Sequence, residues 1–159
     1  MKVLLSCRIN AEEHAVLVDA RDTLLELLRE RIGLTGSKEG CGNGNCGSCT
    51  VLLDGAPVNA CLVLALEVAG RDIVTIEGLA RAGELHPIQS ALVEAGGTQC
   101  GFCTPGIVLA AKALLAANSS PSEDDIRQAI AGNLCRCTGY GKIVDAIATA
   151  ATRMREAEA

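Results

Sequence analysis

Eight of the nine cysteines in this 159-residue chain fall into two sets. The first is Cys41, Cys46, Cys49 and Cys61, spaced C-x4-C-x2-C-x11-C. The second is Cys100, Cys103, Cys135 and Cys137, a C-x2-C followed by a C-x-C. A thiolate is a soft ligand and a nucleophile, so such sets offer metal binding, redox exchange or disulfide formation. Two thiols one residue apart, as in "NLCRCTGY", rarely form a relaxed disulfide with each other. An odd number of cysteines also argues against a complete disulfide set.

The first set has the early spacing of plant-type 2Fe–2S ferredoxins. Its loop, "EGCGNGNCGSC", holds glycines at 40, 42, 44 and 47. Glycine permits positive φ and close backbone approach, so the loop can wrap round inorganic sulfide with its N–H groups pointing inward. Structural zinc prefers C-x2-4-C pairs gathered into a tetrahedron, which fits one loop plus a distant thiol poorly. The second set is less decisive. "CGFC" alone would suggest a redox C-x-x-C, but no thioredoxin-like βαβ setting surrounds it and a second cysteine pair is present. Both pairs precede expected helix starts, where free N–H groups and the dipole stabilise thiolates. If the helices fold back, the two starts can face each other and deliver four thiolates to one site. Spacing alone leaves both zinc and iron open there.

Elements that would position these residues can be read from periodicity. Val3, Leu5, Cys7 and Ile9 alternate in a strand, and "HAVLVDA" forms a second β-rich run after a polar break. "DTLLELLRERIG" reads as a helix with Asp22 or Thr23 as cap and Gly33 as stop. "CTVLLDGAPVNAC" is two strands joined by an Asp54-Gly55 turn, and "DIVTIEGL" is one more. Together these predict a small α+β domain over residues 1–78. Residues 79–159 then read as four helices with short connections, a bundle. They are "HPIQSALVEAGG" with Pro87 in its first turn, "TPGIVLAAKALLAAN" with Thr104 as cap, "SEDDIRQAIAGN" with Ser122 as cap, and a last helix from "GKIV" onward. Their many alanines allow close axial approach. "FCTPGIV" and "RCTGYGKIV" share a Cys-Thr-Gly-Ile-Val pattern, which suggests a duplicated two-helix unit.

Composition narrows the class. About half of the residues are apolar (49%), but Phe102 and Tyr140 are the only aromatics, so the core rests on aliphatic side chains. The net charge is −5 with no basic run, which argues against nucleic acid as a partner. The start, "MKVLLSC", has too short an apolar run for a signal peptide, and no stretch reaches the roughly 20 apolar residues of a membrane span. The expected location is therefore a reducing cytoplasm, where clustered cysteines more often bind metal.

Three stretches in order, "EGCGNGNCGSCTVLLDG", "QCGFCTPG" and "GNLCRCTGY", resemble the small iron–sulfur subunit of the molybdenum hydroxylases, the xanthine oxidase family. The similarity runs from about Val3 to the last helix. It implies a β-grasp ferredoxin domain over 1–78 and a four-helix bundle over 79–159, each with one 2Fe–2S cluster. Carried over residue by residue, Cys41, Cys46, Cys49 and Cys61 would hold an outer cluster near FAD in a medium subunit. Cys100, Cys103, Cys135 and Cys137 would hold an inner cluster near a molybdenum–pterin cofactor in a large subunit. Gln99 and Cys137 would lie against the pterin. The chain would carry electrons without touching substrate, as part of a heterotrimer or its dimer. The alternatives are a free-standing ferredoxin-like carrier, which leaves the bundle unexplained, and an iron–sulfur or zinc regulatory module, which lacks a basic recognition helix. "GNGN" between Cys41 and Cys46 departs from the Asp-Thr-Ser-Gln that carbon monoxide enzymes of the family tend to carry.

Other reactive side chains read as structural. Cys7 is expected in the core, His14 on an exposed strand or turn, and His86 at a helix entry. Glu123, Asp124 and Asp125 read as a solvated helix start. Arg136 is balanced between a solvated or paired charge and one that tunes the inner site or meets a partner. Phe102 and Tyr140 flank the second set and either shield it or simply pack.

Overall fold

The computed structural model describes residues 2–158. Strands β1 (Lys2–Ile9) and β2 (Glu12–Asp19) form the expected hairpin. Its turn residues, Asn10 and Ala11, both have positive φ (53° and 69°), matching the twist of the flanking strands. Leu5, Cys7 and Ile9 are buried on one face. Thr23 caps α1 (Leu24–Glu26): its hydroxyl accepts the Glu26 N–H, and the Glu26 carboxylate accepts the Thr23 N–H. Leu24, Leu27 and Leu28 are fully buried, as the stripe in the sequence implies. The helix is less regular than expected. Across Leu27–Ile32 it widens into π-type turns, and the Gly33 N–H, at φ 87°, reaches Leu28 O to end it.

Strands β3 (Thr50–Leu53) and β4 (Ala56–Asn59) turn at Asp54-Gly55, and β5 (Asp72–Val74) joins parallel to β1 and antiparallel to β3. The order β2-β1-β5-β3-β4, with α1 on one face, is a β-grasp sheet. All four residues of β3 are buried because both its faces are covered. Val51 and Leu53 enter the core under α1, while Leu52 enters the core of the helical half. The outer loop therefore leads directly into the strand that joins the two cores.

The helical half holds α2 (Pro87–Glu94), α3 (Thr104–Ala117), α4 (Glu123–Ala129) and α5 (Gly141–Glu158). Helices α2 and α4 each pack on both α3 and α5. Gly106, Ala110 and Ala111 of α3 and Ala146, Ala150 and Ala151 of α5 are buried, and Gly106 lies against the Gly47 carbonyl of the outer loop. His86 caps α2 through Nδ1, and Ser122 caps α4 in a capping box with Asp125. Thr104 is not the cap of α3. Cys103 is, because the Thr104 N–H already bonds Gly101 O at 3.2 Å and winding starts one residue early. Each short helix leads through a cysteine-bearing loop into a long one, the pattern of a duplicated unit. No described helix is long and apolar enough to cross a membrane.

Candidate metal centres

The first cysteine set lies on one loop between α1 and β3 and on the short turn Ala60–Leu62 after β4. Positive φ at Gly42, Gly44 and Gly47 (66°, 82° and 70°) curls the loop. The Cys46 N–H meets Cys41 Sγ at 3.4 Å. The N–H of Asn43, then that of Cys46, lowers the Cys41 pKa to about 7. Cys46 Sγ lies 3.0 Å from Ser48 Oγ, which also donates to Lys38 O at 3.1 Å. Burial pushes the Cys49 thiol up to about 11; the Cys61 N–H pulls against it, and the side-chain hydrogen bond to Cys61 adds to the rise. Cys41 is exposed, Cys46 and Cys61 are half-buried, and Cys49 is 2% exposed. The Asn59 amide ties down Gly44 O at 3.0 Å, and the Leu62 side chain covers Gly44.

The second set comes from two loops, one entering α3 and one entering α5. The structure brings them together crosswise, with Cys103 against Cys135 and Cys100 against Cys137. Cys103 does not have the depressed pKa expected of a thiol at a helix start. Burial pushes it up to about 12, aided by its hydrogen bond to Cys135. Burial also acts against the Cys135 thiolate. The Thr138 hydroxyl and N–H, the Cys137 N–H and the Cys103 thiol outweigh it and bring Cys135 down to about 7. Cys137 is raised, first because its thiol donates to Cys100. Cys100 and Cys137 are exposed, whereas Cys103 and Cys135 sit inward. Gln99, exposed like Cys100 and Cys137, donates from Nε2 to Cys137 O at 3.3 Å.

The two sites are joined. The Leu134 N–H, one residue before Cys135, donates to Cys46 O at 2.8 Å. Phe102, 45% exposed, extends its ring toward Gly40 of the outer loop. Tyr140 does more than pack. Its hydroxyl accepts the Cys135 N–H at 2.8 Å and donates to Asn133 O at 3.2 Å. The tyrosine's place next to "CRCTG" was visible in the sequence. The function of its hydroxyl was not, and nothing in the sequence pointed to the Thr138 and Ser48 hydroxyls as neighbours of sulfur.

All nine cysteines are free thiols. Among the described residues, no three Cys, His, Asp or Glu side chains close round a single-ion position. Each site instead presents two sulfur pairs. A tetrahedral zinc needs four ligands about 2.0–2.3 Å from one point, whereas a two-iron centre takes one ligand pair on each iron. The donors round the sulfurs are N–H and O–H groups rather than carboxylates, which suits a centre that gains negative charge on reduction. Cys7, buried in β1 with its thiol pKa raised by burial, belongs to neither site. His14 lies half-buried in β2, and Arg136 is exposed with no carboxylate partner among the described residues.

Family comparison agrees with this geometry across both halves. Residues 7–73 match a 2Fe-2S iron-sulfur cluster binding domain, and residues 75–148 match a [2Fe-2S] binding domain. The small FeS subunit of nicotinate dehydrogenase from Eubacterium barkeri is 45% identical over 152 residues, covering 96% of this chain and 97% of the relative. The chain belongs to the small iron–sulfur subunits of the molybdenum hydroxylases. Its structure matches a chain of quinoline 2-oxidoreductase from Pseudomonas putida 86 with TM-score 0.95 and 44% identity, over 99% of both. An aldehyde oxidoreductase from Desulfovibrio gigas matches with TM-score 0.93 and 44% identity over 98% of this chain but 17% of that one. There the same iron–sulfur unit is part of a longer polypeptide. As a member of this family, the chain is an electron-transfer subunit with two 2Fe–2S-binding domains.

Proposed function

We propose that Cys41, Cys46, Cys49 and Cys61 hold an outer 2Fe–2S cluster and that Cys100, Cys103, Cys135 and Cys137 hold an inner one. The domains that carry them are residues 1–78 and 79–159. The observation behind this assignment is the pairing of sulfurs in both sites, joined through the bond from Leu134 N–H to Cys46 O. Bound there, the clusters supply one-electron storage between a molybdenum–pterin cofactor in a large subunit and FAD in a medium subunit.

The chain's own residues position, insulate and tune. Cys100, Cys137 and Gln99 form the exposed edge, so the pterin contact belongs there. Cys103 and Cys135 face inward. Thr138 directs its hydroxyl at Cys135 Sγ, and such a donor favours the reduced, more negative state, while Ser48 Oγ packs 3.0 Å from Cys46 Sγ. Loading displaces the protons held by Cys103 and Cys49, because metal-bound sulfur is thiolate. The enzyme is a cytoplasmic heterotrimer or its dimer. Hydroxylation of an N-heterocycle fits best, since nicotinate and quinoline name two of the similar proteins.

Metal analysis of the purified complex tests this assignment. About four irons and four acid-labile sulfides per chain are expected; zinc in either site would overturn it. Co-purification separates the free-carrier alternative. Loss of molybdenum and flavin subunits from an otherwise stable, cluster-loaded chain would favour that reading instead.

A further inference from the structure

Between the two cysteine sites lies a buried amide whose partners are 83 and 86 residues away in sequence. Asn133 is 5% exposed. Its Nδ2 donates to Gly47 O at 2.9 Å and to Thr50 Oγ1 at 3.2 Å. An asparagine amide has two N–H donors, and both are spent on the outer loop. Thr50 Oγ1 in turn donates to Gly47 O at 2.7 Å and the Thr50 N–H at 3.1 Å, so three donors converge on this carbonyl. Gly47 separates Cys46 from Ser48 and Cys49, within the outer site.

At its other end Asn133 is fixed to the inner site. Its carbonyl accepts the Tyr140 hydroxyl, and that hydroxyl accepts the Cys135 N–H. The backbone leaves almost no free space at this seam. A Cβ on Gly47 would overlap Gly132 O and crowd the Asn133 amide, and a Cβ on Gly106 would overlap Gly47 O. The glycines let the two loops touch, but an absence of side chains pins nothing. The amide supplies the pin.

We infer that Asn133 is a positioning residue for electron transfer, and that its amide, beside the backbone bond from Leu134 N–H to Cys46 O, fixes the separation of the two centres. This rests on the cluster assignment proposed above. Electron tunnelling falls exponentially with distance, and the magnetic coupling between two reduced centres falls with its inverse cube. A buried pin between ligand loops therefore controls a rate without touching a cluster. Removing it leaves Gly47 O to the two Thr50 donors and the seam to the single bond from Leu134 N–H to Cys46 O, so the inner loop can shift away.

The test uses the assembled complex with Asn133→Ala and Asn133→Asp. The aspartate keeps the side-chain size but sets a carboxylate oxygen against the Gly47 carbonyl. Iron content and the two separate paramagnetic signals report on the cluster assignment. The splitting between those signals, with the rate of electron transfer between the centres, reports on the pin. Expected are two loaded centres, a narrower splitting and slower internal transfer in both variants, with potentials unchanged in Asn133→Ala and lowered by the buried carboxylate in Asn133→Asp. A purely structural role would lower the melting temperature and leave the splitting alone. Wild-type splitting in either fully loaded variant overturns the inference. Should both variants fail to load, Asn133→Ser, which is too short to reach Gly47 O, decides: narrowing supports the pin, and unchanged splitting overturns it.

Discussion

The outer site is made by a single loop closed by one later cysteine, whereas the inner site is shared by two loops that meet only after four helices have packed. The outer loop carries its own instructions. Glycines at three positions adopt positive φ, and N–H groups of Asn43, Asn45 and Cys46 converge on Cys41 from within the loop itself, while Asn59, Asn133 and Leu134 hold it from outside. The inner loops are less self-sufficient. The Tyr140 and Thr138 hydroxyls order the loop that carries Cys135, but Cys103 and Cys135 become partners only where two separate loops meet. Local conformation makes one site, and tertiary packing makes the other.

The sharpest way to break this contrast is to remove one buried sulfur from each site. Cys49→Ala should empty the outer site and Cys103→Ala the inner, each lowering iron from about four to about two per chain. Each should abolish one paramagnetic signal, while Cys7→Ala leaves both. If either ligand variant lost both signals, the sites would be one cooperative unit and the contrast would fail.

Glycine substitutions probe the contrast next. A Cβ on Gly40 would lie 2.7 Å from Ser48 Oγ and 2.9 Å from Cys46 Sγ, so Gly40→Ala overpacks the outer loop. A cost of about 1–3 kcal/mol and weakened outer-cluster retention are expected. Gly139, at φ 65°, has open space round it, so Gly139→Ala should cost only about 1 kcal/mol and leave both centres loaded. Thermal melts and iron release to a chelator compare the two.

Tyr140→Phe removes an acceptor from the Cys135 N–H and a donor from Asn133 O. The expected loss is about 1–3 kcal/mol, with faster iron release from the inner site alone. Equal acceleration at both sites would show that Tyr140 supports the whole fold instead.

The smallest effect separates the two hydroxyls. Thr138 Oγ1 accepts the Tyr140 N–H at 3.2 Å and keeps its proton for Cys135 Sγ at 3.1 Å. Ser48 Oγ lies 3.0 Å from Cys46 Sγ but gives its proton to Lys38 O. Thr138→Val should therefore lower the inner potential by roughly 40 mV, about 1 kcal/mol for one electron, and Ser48→Ala should lower the outer potential by less. Redox titration of each signal compares them, with Thr138→Ser expected to restore the inner value.

The same contrast explains what was legible in the sequence. The five strands, the Asp54-Gly55 turn and the Ser122 cap follow from local pattern and were readable. So was the outer loop, since its ligands and glycines lie within one short stretch. Spacing left the inner site open between zinc and iron, because Cys103 meets Cys135 only through tertiary packing. The resemblance carried by all three motifs supplied what spacing could not. The Cys103 pKa ran against expectation because position at a helix start is visible in sequence and burial is not. Asn133 gave no signal at all, since its partners are contributed by the other domain.

The interleaved helix pairs have one more consequence. The segments α2–loop–α3 and α4–loop–α5 each bring one sulfur pair, and each short helix packs on the long helix of the other segment. The inner site is thus a twofold-like interface folded into a single chain, with a half-site on each side. A break in the connection near Ser120 would leave two fragments, neither able to complete the four-sulfur set alone. Metal would then act as the clasp that makes them dimerise.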